Sequence, residues 1–375
     1  MNSVNLKMVR ALVAALALAA CVIPRRAPAV APGEFRGLAS RDPAATAGVP
    51  ANASYRIEWR KGFGRGIVTP LQIHPPLLIA TTTGRRVVTI NAETGAKYWA
   101  RRFSGPIAGS VLRRGDQIYV VTGNRENRIT ALALDRGKRI WASRRVGSFR
   151  VQPILLADRL IGVTDEGRTV AVAESDGAIL WSTELRAPPA AQPVPDGSRV
   201  FVATVRDTLY SLDGADGRIL ARIPLPGTPS APPILTGRTL VVPVQPHHVV
   251  TVDVDRMVVS PAVALPATVA APPVAGDGGA VFLLARAGQV MRLDIASGAV
   301  APVVDVGGAT AGSFAGVGAL LAIGRLDGTL FLVDRQGREV WQTDFDDSIN
   351  APVAALDGTM YVPLLRGDIV RLEMQ

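Results

Sequence analysis

The sequence predicts an all-β chain: an eight-bladed β-propeller of four-stranded blades, with an N-terminal strand closing the last blade. Three observations predict it. A glycine turn followed four residues later by tryptophan recurs, at Gly95 and Trp99, Gly137 and Trp141, Gly177 and Trp181, and Gly337 and Trp341. With weaker copies at Gly217–Ala221, Arg256–Ser260 and Gly298–Pro302, and with Trp59 as an orphan end, the marks step along the chain every 39 to 42 residues. A fixed period of this size belongs to stacked or radial units. The third observation is that the chain enters and leaves the series in mid-repeat.

Each unit reads as four short strands. The first follows a small residue and usually proline, as in Gln152-Pro153-Ile154 and Gln192-Pro193-Val194. Proline lacks an N–H for the ladder, so it suits an edge or a strand's first residue. The inner edge of a blade, beside the central channel, is such a place, and these inner strands suggest a channel lined by backbone and small side chains. The second strand is an aliphatic run such as Ile118-Tyr119-Val120-Val121. The third ends in an acid, as in Leu330-Phe331-Leu332-Val333-Asp334. The fourth, after the glycine, forms the outer edge, where arginines such as Arg101-Arg102 oppose edge-to-edge aggregation. β-branched runs split by Gly/Asp turns are hairpins, and no long stretch carries a helical period. The segment from Ser348 to Glu373 supplies three strands and Tyr55 to Arg60 a fourth, so the two ends share one blade. The tryptophans Trp59, Trp99, Trp141, Trp181 and Trp341 are expected to pack between neighbouring blades.

Ahead of the repeats lies a separate device. Lys7 and Arg10 precede a short apolar stretch from Ala11 to Ala20, too short to span a bilayer comfortably. It ends Leu18-Ala19-Ala20-Cys21, which resembles a bacterial lipobox, and Cys21 is the single cysteine. The expected organisation is a lipoprotein signal peptide over residues 1–20, a lipidated Cys21 with a flexible tether over 21–54, and the propeller over 55–375. The tether is rich in Pro, Ala and Gly. Export follows, with several acyl chains as anchor. Val22 after the cysteine, rather than aspartate, resembles the default of transfer to the outer membrane.

Charge is uneven. Residues 55–170 hold 21 basic against 8 acidic side chains, while residues 171–375 hold 14 against 21. The basic arc suits anionic headgroups, an acidic partner, or simply a solvated surface built from arginine. It lacks the aromatic interleaving of single-strand nucleic-acid binders.

The Asp/Asn-x-x-(Thr/Ser/Asp)-Gly-x-x-x-Trp repeats resemble those of the pyrroloquinoline-quinone-type propellers. Together with the lipobox and the short tether, eight such blades look like the BamB family, lipoproteins of the outer-membrane β-barrel assembly machinery. The resemblance implies a non-enzymatic scaffold on the periplasmic face of the outer membrane, without cofactor or metal. It also implies docking on the barrel-inserting protein through loops that follow the fourth strands of adjacent blades. One family loop carries Leu-x-Leu-Arg and the next paired aspartates before Thr-Pro. The matching places here are Trp181 to Pro188, which keeps Leu185 and Arg186 in a shorter loop, and Pro226 to Pro232, which has no acid. Leu185 and Arg186 are therefore the candidate partner contacts. The other reading is an envelope scaffold or sensor that binds a different protein or a glycan. A quinoprotein dehydrogenase needs calcium ligands, usually an adjacent-cysteine disulfide, and extra loops; this sequence lacks the cysteines, and its blade connections are too short to build such a pocket. His247-His248 and His74 read as turn and loop residues, and Asp346-Asp347 as an exposed polar turn.

Overall fold

The computed structural model describes residues 54–375, which form eight antiparallel sheets arranged as a ring. The signal peptide, Cys21 and the tether up to Ala53 lie outside the described residues. Blade 1 shows the plan: Gln72–His74, Leu77–Thr82, Arg86–Asn91 and Lys97–Arg102 pair in sequence from the inner to the outer edge. Blades 2 to 7 repeat it over residues 112–142, 154–184, 194–224, 234–264, 274–305 and 310–344. Blade 8 takes Ala354–Leu356, Thr359–Pro363 and Asp368–Met374 from the end of the chain and its outer strand, Tyr55–Gly62, from the beginning. Those two segments pair antiparallel from Tyr55 opposite Met374 to Gly62 opposite Asp368. The Gln375 N–H then donates to the Ser54 carbonyl at 2.9 Å. The closure expected from the ends of the chain is the one the ring uses.

The second and third strands are buried on both faces, which is why they read as continuous aliphatic runs. Their side chains form eight apolar clusters, and each cluster draws on two neighbouring blades: Phe201, Ala203 and Leu209 meet Leu240, Val242 and Val250, for example. The hydrophobic effect therefore acts between blades, and a blade alone has no core.

The tryptophans cross the same seams. The Trp99 indole donates to the Leu134 carbonyl of blade 2 at 2.9 Å, Trp141 to Glu174 of blade 3 at 3.0 Å, Trp181 to Gly214 of blade 4 at 3.2 Å, and Trp59 to Glu93 of blade 1 at 2.8 Å. Each ring lies on the turn glycine of the next blade. A Cβ on Gly137 would meet Trp99 at 2.5 Å, and one on Gly177 would meet Trp141 at 2.5 Å. The glycine-to-tryptophan spacing thus holds two halves of different contacts: Gly95, Gly137, Gly177 and Gly217 each receive the preceding blade's ring. A β-bulge just before the tryptophan, where Ala171 opposes Trp181 but Val172 opposes Ile179, turns the ring toward the next blade. It also leaves Ile140, Leu180 and Leu220 exposed on the outer edge. We expect Gly177→Ala, at a φ of 76° and against Trp141, to cost about 1–3 kcal/mol in urea unfolding through overpacking. An unchanged midpoint would rule out the ring-on-glycine contact.

Three features differ from expectation. The inner strands that follow Pro153, Pro193, Pro233 and Pro273 carry aliphatics such as Ile154–Leu156, not small residues alone. The outer strand of blade 5 is broken into Val258–Val259 and Val263–Ala264, because Pro261 between them cannot donate to the ladder. Neighbouring inner strands touch around the channel. His74, expected in a loop, ends the inner strand of blade 1 and accepts from Arg113 of blade 2 at 3.1 Å. Burial and then the Arg113 charge lower its pKa to about 4, so its ring is neutral at neutral pH.

Candidate functional site: a groove between blades 3 and 4

The chain emerges on one face of the ring at the connections between blades and at the hairpins between second and third strands. Eight apolar residues hold these two sets of loops together. Phe63, Phe103, Val146, Leu185, Leu225, Leu265, Val306 and Phe345 each follow an outer strand, and each backbone N–H donates to a carbonyl in the second–third hairpin of its own blade at 2.8–3.1 Å. Leu185 is the blade 3 member of this series. Its N–H donates to Gly167 at 2.8 Å, and its side chain, 4% exposed, packs with Ile161, Val163, Val200, Val202 and Leu212. The expectation of a partner contact at Leu185 is therefore corrected: the side chain is a plug of the seam between blades 3 and 4. The outward position is the next one. Arg186 is exposed, at a φ of 58° that turns the chain away from the seam.

Arg186 stands at a groove of about 580 Å³ bordered also by Glu184, Leu185, Ala187, Arg206, Thr208, Tyr210 and Arg222. Arg206 belongs to the second–third hairpin of blade 4, Tyr210 to its third strand and Arg222 to its outer strand. The Tyr210 hydroxyl donates to the Leu185 carbonyl at 3.3 Å, which fixes the ring as the groove's wall. The Arg222 guanidinium lies 6.0 Å from the centre of that ring. None of Arg186, Arg206 and Arg222 forms an ion pair among the described residues. Val205, 43% exposed, adds an apolar neighbour on the same hairpin. Three free guanidiniums around a tyrosine and a valine suit a carboxylate-bearing peptide segment, because arginine binds carboxylates through paired hydrogen bonds.

The segment from Pro226 to Pro232 lacks an acid of its own, but folding brings one to it. Asp207, in the hairpin of blade 4, accepts the Thr228 hydroxyl at 2.5 Å. Sequence reasoning missed Arg206, Asp207, Tyr210 and Arg222, since they join Arg186 only across the seam. The eight-member plug series was visible as an apolar residue four or five places after each tryptophan mark. Asp346, predicted as an exposed polar residue, is exposed and pairs with Arg60 at 2.5 Å, which holds its carboxyl below the usual range. Its neighbour Asp347 is buried and accepts the Arg366 N–H at 2.7 Å. His247 and His248 stack at 5.2 Å, and among the described residues no group of three His, Cys, Asp or Glu side chains gathers as a metal site.

The sequence profile of the outer membrane protein assembly factor BamB matches residues 52–192 and 165–259. No curated protein matches the sequence. Among solved structures, BamB from Moraxella catarrhalis superposes with a TM-score of 0.72 at 15% identity, over 85% of this chain and 100% of that one. The computationally designed Ika8 protein gives 0.71 at 12% identity, over 83% and 97%. A quinohemoprotein alcohol dehydrogenase from Comamonas testosteroni gives 0.68 at 11% identity, over 85% and 76%. Likeness at such identities speaks for the propeller fold alone.

Proposed function

We propose a function from the family to which this chain belongs, that of the outer membrane protein assembly factor BamB: it is a non-enzymatic scaffold of outer-membrane β-barrel assembly. It docks on the barrel-inserting protein of that machinery and assists insertion, held by acyl chains on Cys21 at the periplasmic face of the outer membrane. The observation that carries the docking reading is the groove between blades 3 and 4, where Arg186, Arg206 and Arg222 lack acidic partners beside Tyr210. Such a groove takes an acidic segment presented by a rigid partner. The ring keeps the three cations in place, so little ordering is needed on binding. Dehydrogenases share the propeller, but the grooves between blades 3 and 4 and between blades 1 and 2 lie at blade seams and are lined by arginines. That lining supports a protein-binding role over redox chemistry.

The test is affinity purification of the lipidated protein from gently solubilised envelope after brief crosslinking. The barrel-inserting protein should co-purify with the parent chain. It should be lost, by about tenfold or more, from a variant carrying Arg186→Glu, Arg206→Glu and Arg222→Glu, because reversed charges at a contact repel the same acids. Equal recovery from the variant would remove the groove from the interface. Recovery of a different envelope protein or of glycan alone would replace the assembly role.

A further inference from the structure

On the same face, but over blades 8, 1 and 2, the ring carries a second surface, predominantly cationic. We infer that this surface rests on an anionic phospholipid bilayer. Arg65 follows the outer strand of blade 8, Arg86 begins the third strand of blade 1 and Arg102 ends its outer strand. Arg125 lies in the hairpin of blade 2, and Arg144 and Arg145 follow that blade's outer strand. All six are exposed, and none has an ion pair among the described residues. Three acids of the basic arc share this face, and two are engaged: Glu126 accepts the Ser104 N–H at 2.5 Å, and Asp165 pairs with Arg150 at 2.7 Å. The acids Glu93, Asp116, Asp135 and Asp158 sit in hairpins that open on the opposite face. Alternation of hairpins along each blade has sorted the charge by face, a separation that the bare count of 21 against 8 does not reveal.

Within the surface the fold works against itself. Arg86 and Arg102 stand directly opposite in the ladder of blade 1, an arrangement that costs stability unless an anion lies between or above them. Next to them, Arg101, Arg102, Arg128 and Arg139 border a groove of about 350 Å³. This groove is the counterpart of the one between blades 3 and 4, with Phe103 in the place of Leu185.

The contrast between the two grooves selects the occupant. Protein partners are gripped by buried aromatic or aliphatic anchors. The groove of blades 3 and 4 offers Tyr210 and Val205, whereas Val68 is the one large apolar side chain exposed on the loops of blades 8 to 2. Charge spread over three blades without an anchor fits a fluid sheet of phosphates, each arginine meeting whichever headgroup lies beneath it. Among the described residues, no exposed aromatic ring for stacking bases stands there either.

The experiment is flotation of the full chain carrying Cys21→Ser, so that no acyl chain contributes, with vesicles of phosphatidylcholine alone or mixed with phosphatidylglycerol. Binding should require phosphatidylglycerol, fall steeply with salt, and stay constant between about pH 5 and 9, because arginine stays charged throughout. Each arginine removed should weaken binding about fivefold. The variant with Arg86, Arg102, Arg144 and Arg145 changed to Gln should therefore lose a hundredfold or more, by the same scaling. Its melting temperature serves as the control for folding. The variant with Arg186, Arg206 and Arg222 changed to Glu should float nearly as well as its parent, which separates this surface from the docking groove. Binding to neutral vesicles alone, no binding of the parent, or equal binding of the four-glutamine variant would each overturn the inference. Loss of the co-purified protein partner from the four-glutamine variant, with flotation intact, would overturn it in favour of a second protein contact.

Discussion

Removal of residues 55–62 is expected to unfold the ring rather than trim it. Tyr55–Gly62 is the outer strand of blade 8, and seven of its residues are registered against the last strand of the chain. Its loss exposes the full edge of Asp368–Met374, a seven-residue strand of which three residues, Ile369, Val370 and Leu372, are buried. Trp59, which donates to Glu93 and lies 6.1 Å from Tyr361, leaves the seam between blades 8 and 1. Tyr55, 5.2 Å from the Trp341 ring, leaves the seam between blades 7 and 8. Two of the eight apolar clusters are thus opened by one deletion. The cost is comparable to the whole margin of a domain, about 5–15 kcal/mol. The unpaired edge then recruits other chains. The measurement is chemical unfolding together with size-exclusion chromatography. A monomeric chain of near-parental stability would mean that the two ends do not hold the ring together.

How far the sequence carried this far depended on which contacts repeat. The blade number, the strand order and the shared last blade were legible because Gly95, Gly137, Gly177 and Gly337 mark them at nearly constant spacing. The tryptophans were legible as blade-seam residues because Trp59, Trp99, Trp141, Trp181 and Trp341 recur at one position per unit. The plug series was equally periodic, but it is filled by Phe, Val or Leu, which do not stand out in a chain of 48% hydrophobic residues. Leu185 accordingly reads from the sequence as an interface residue, on a two-residue match. The groove itself was not legible at all. Arg206 and Arg222 are 20 and 36 residues from Arg186, and only the lateral packing of blade 4 on blade 3 sets them around one opening. The break in the outer strand of blade 5 could have been read from Pro261, which follows a mark where both glycine and tryptophan have been lost.

Leu185→Asp and Arg186→Glu should have opposite consequences, although the two residues are adjacent. An aspartate at position 185 would put a carboxylate among Ile161, Val163, Val200 and Leu212. Removal of the leucine alone costs about 2–5 kcal/mol in a packed core. An unpaired buried charge adds to that loss, or forces the group to stay protonated. Unfolding in urea should show a fall of more than about 4 kcal/mol, less at low pH, where the carboxyl becomes neutral. The sign follows from the direction of the shift. Burial raises the aspartate pKa in the folded state, so the folded form holds a proton that the unfolded form has released, and stability falls as pH rises above the unfolded value. Arg186→Glu changes an exposed side chain without an ion pair, and its stability should stay within about 0.5 kcal/mol of the parent. Capture of the assembly partner should respond in the reverse order once folded protein is compared. The glutamate at 186 faces an acidic segment and weakens capture directly, whereas Leu185→Ala, a milder variant that still folds, keeps Arg186, Arg206 and Arg222 and should capture in proportion to its folded fraction. Near-parental stability of Leu185→Asp would mean that Leu185 is no plug, and the periodic role assigned to all eight positions would fall with it.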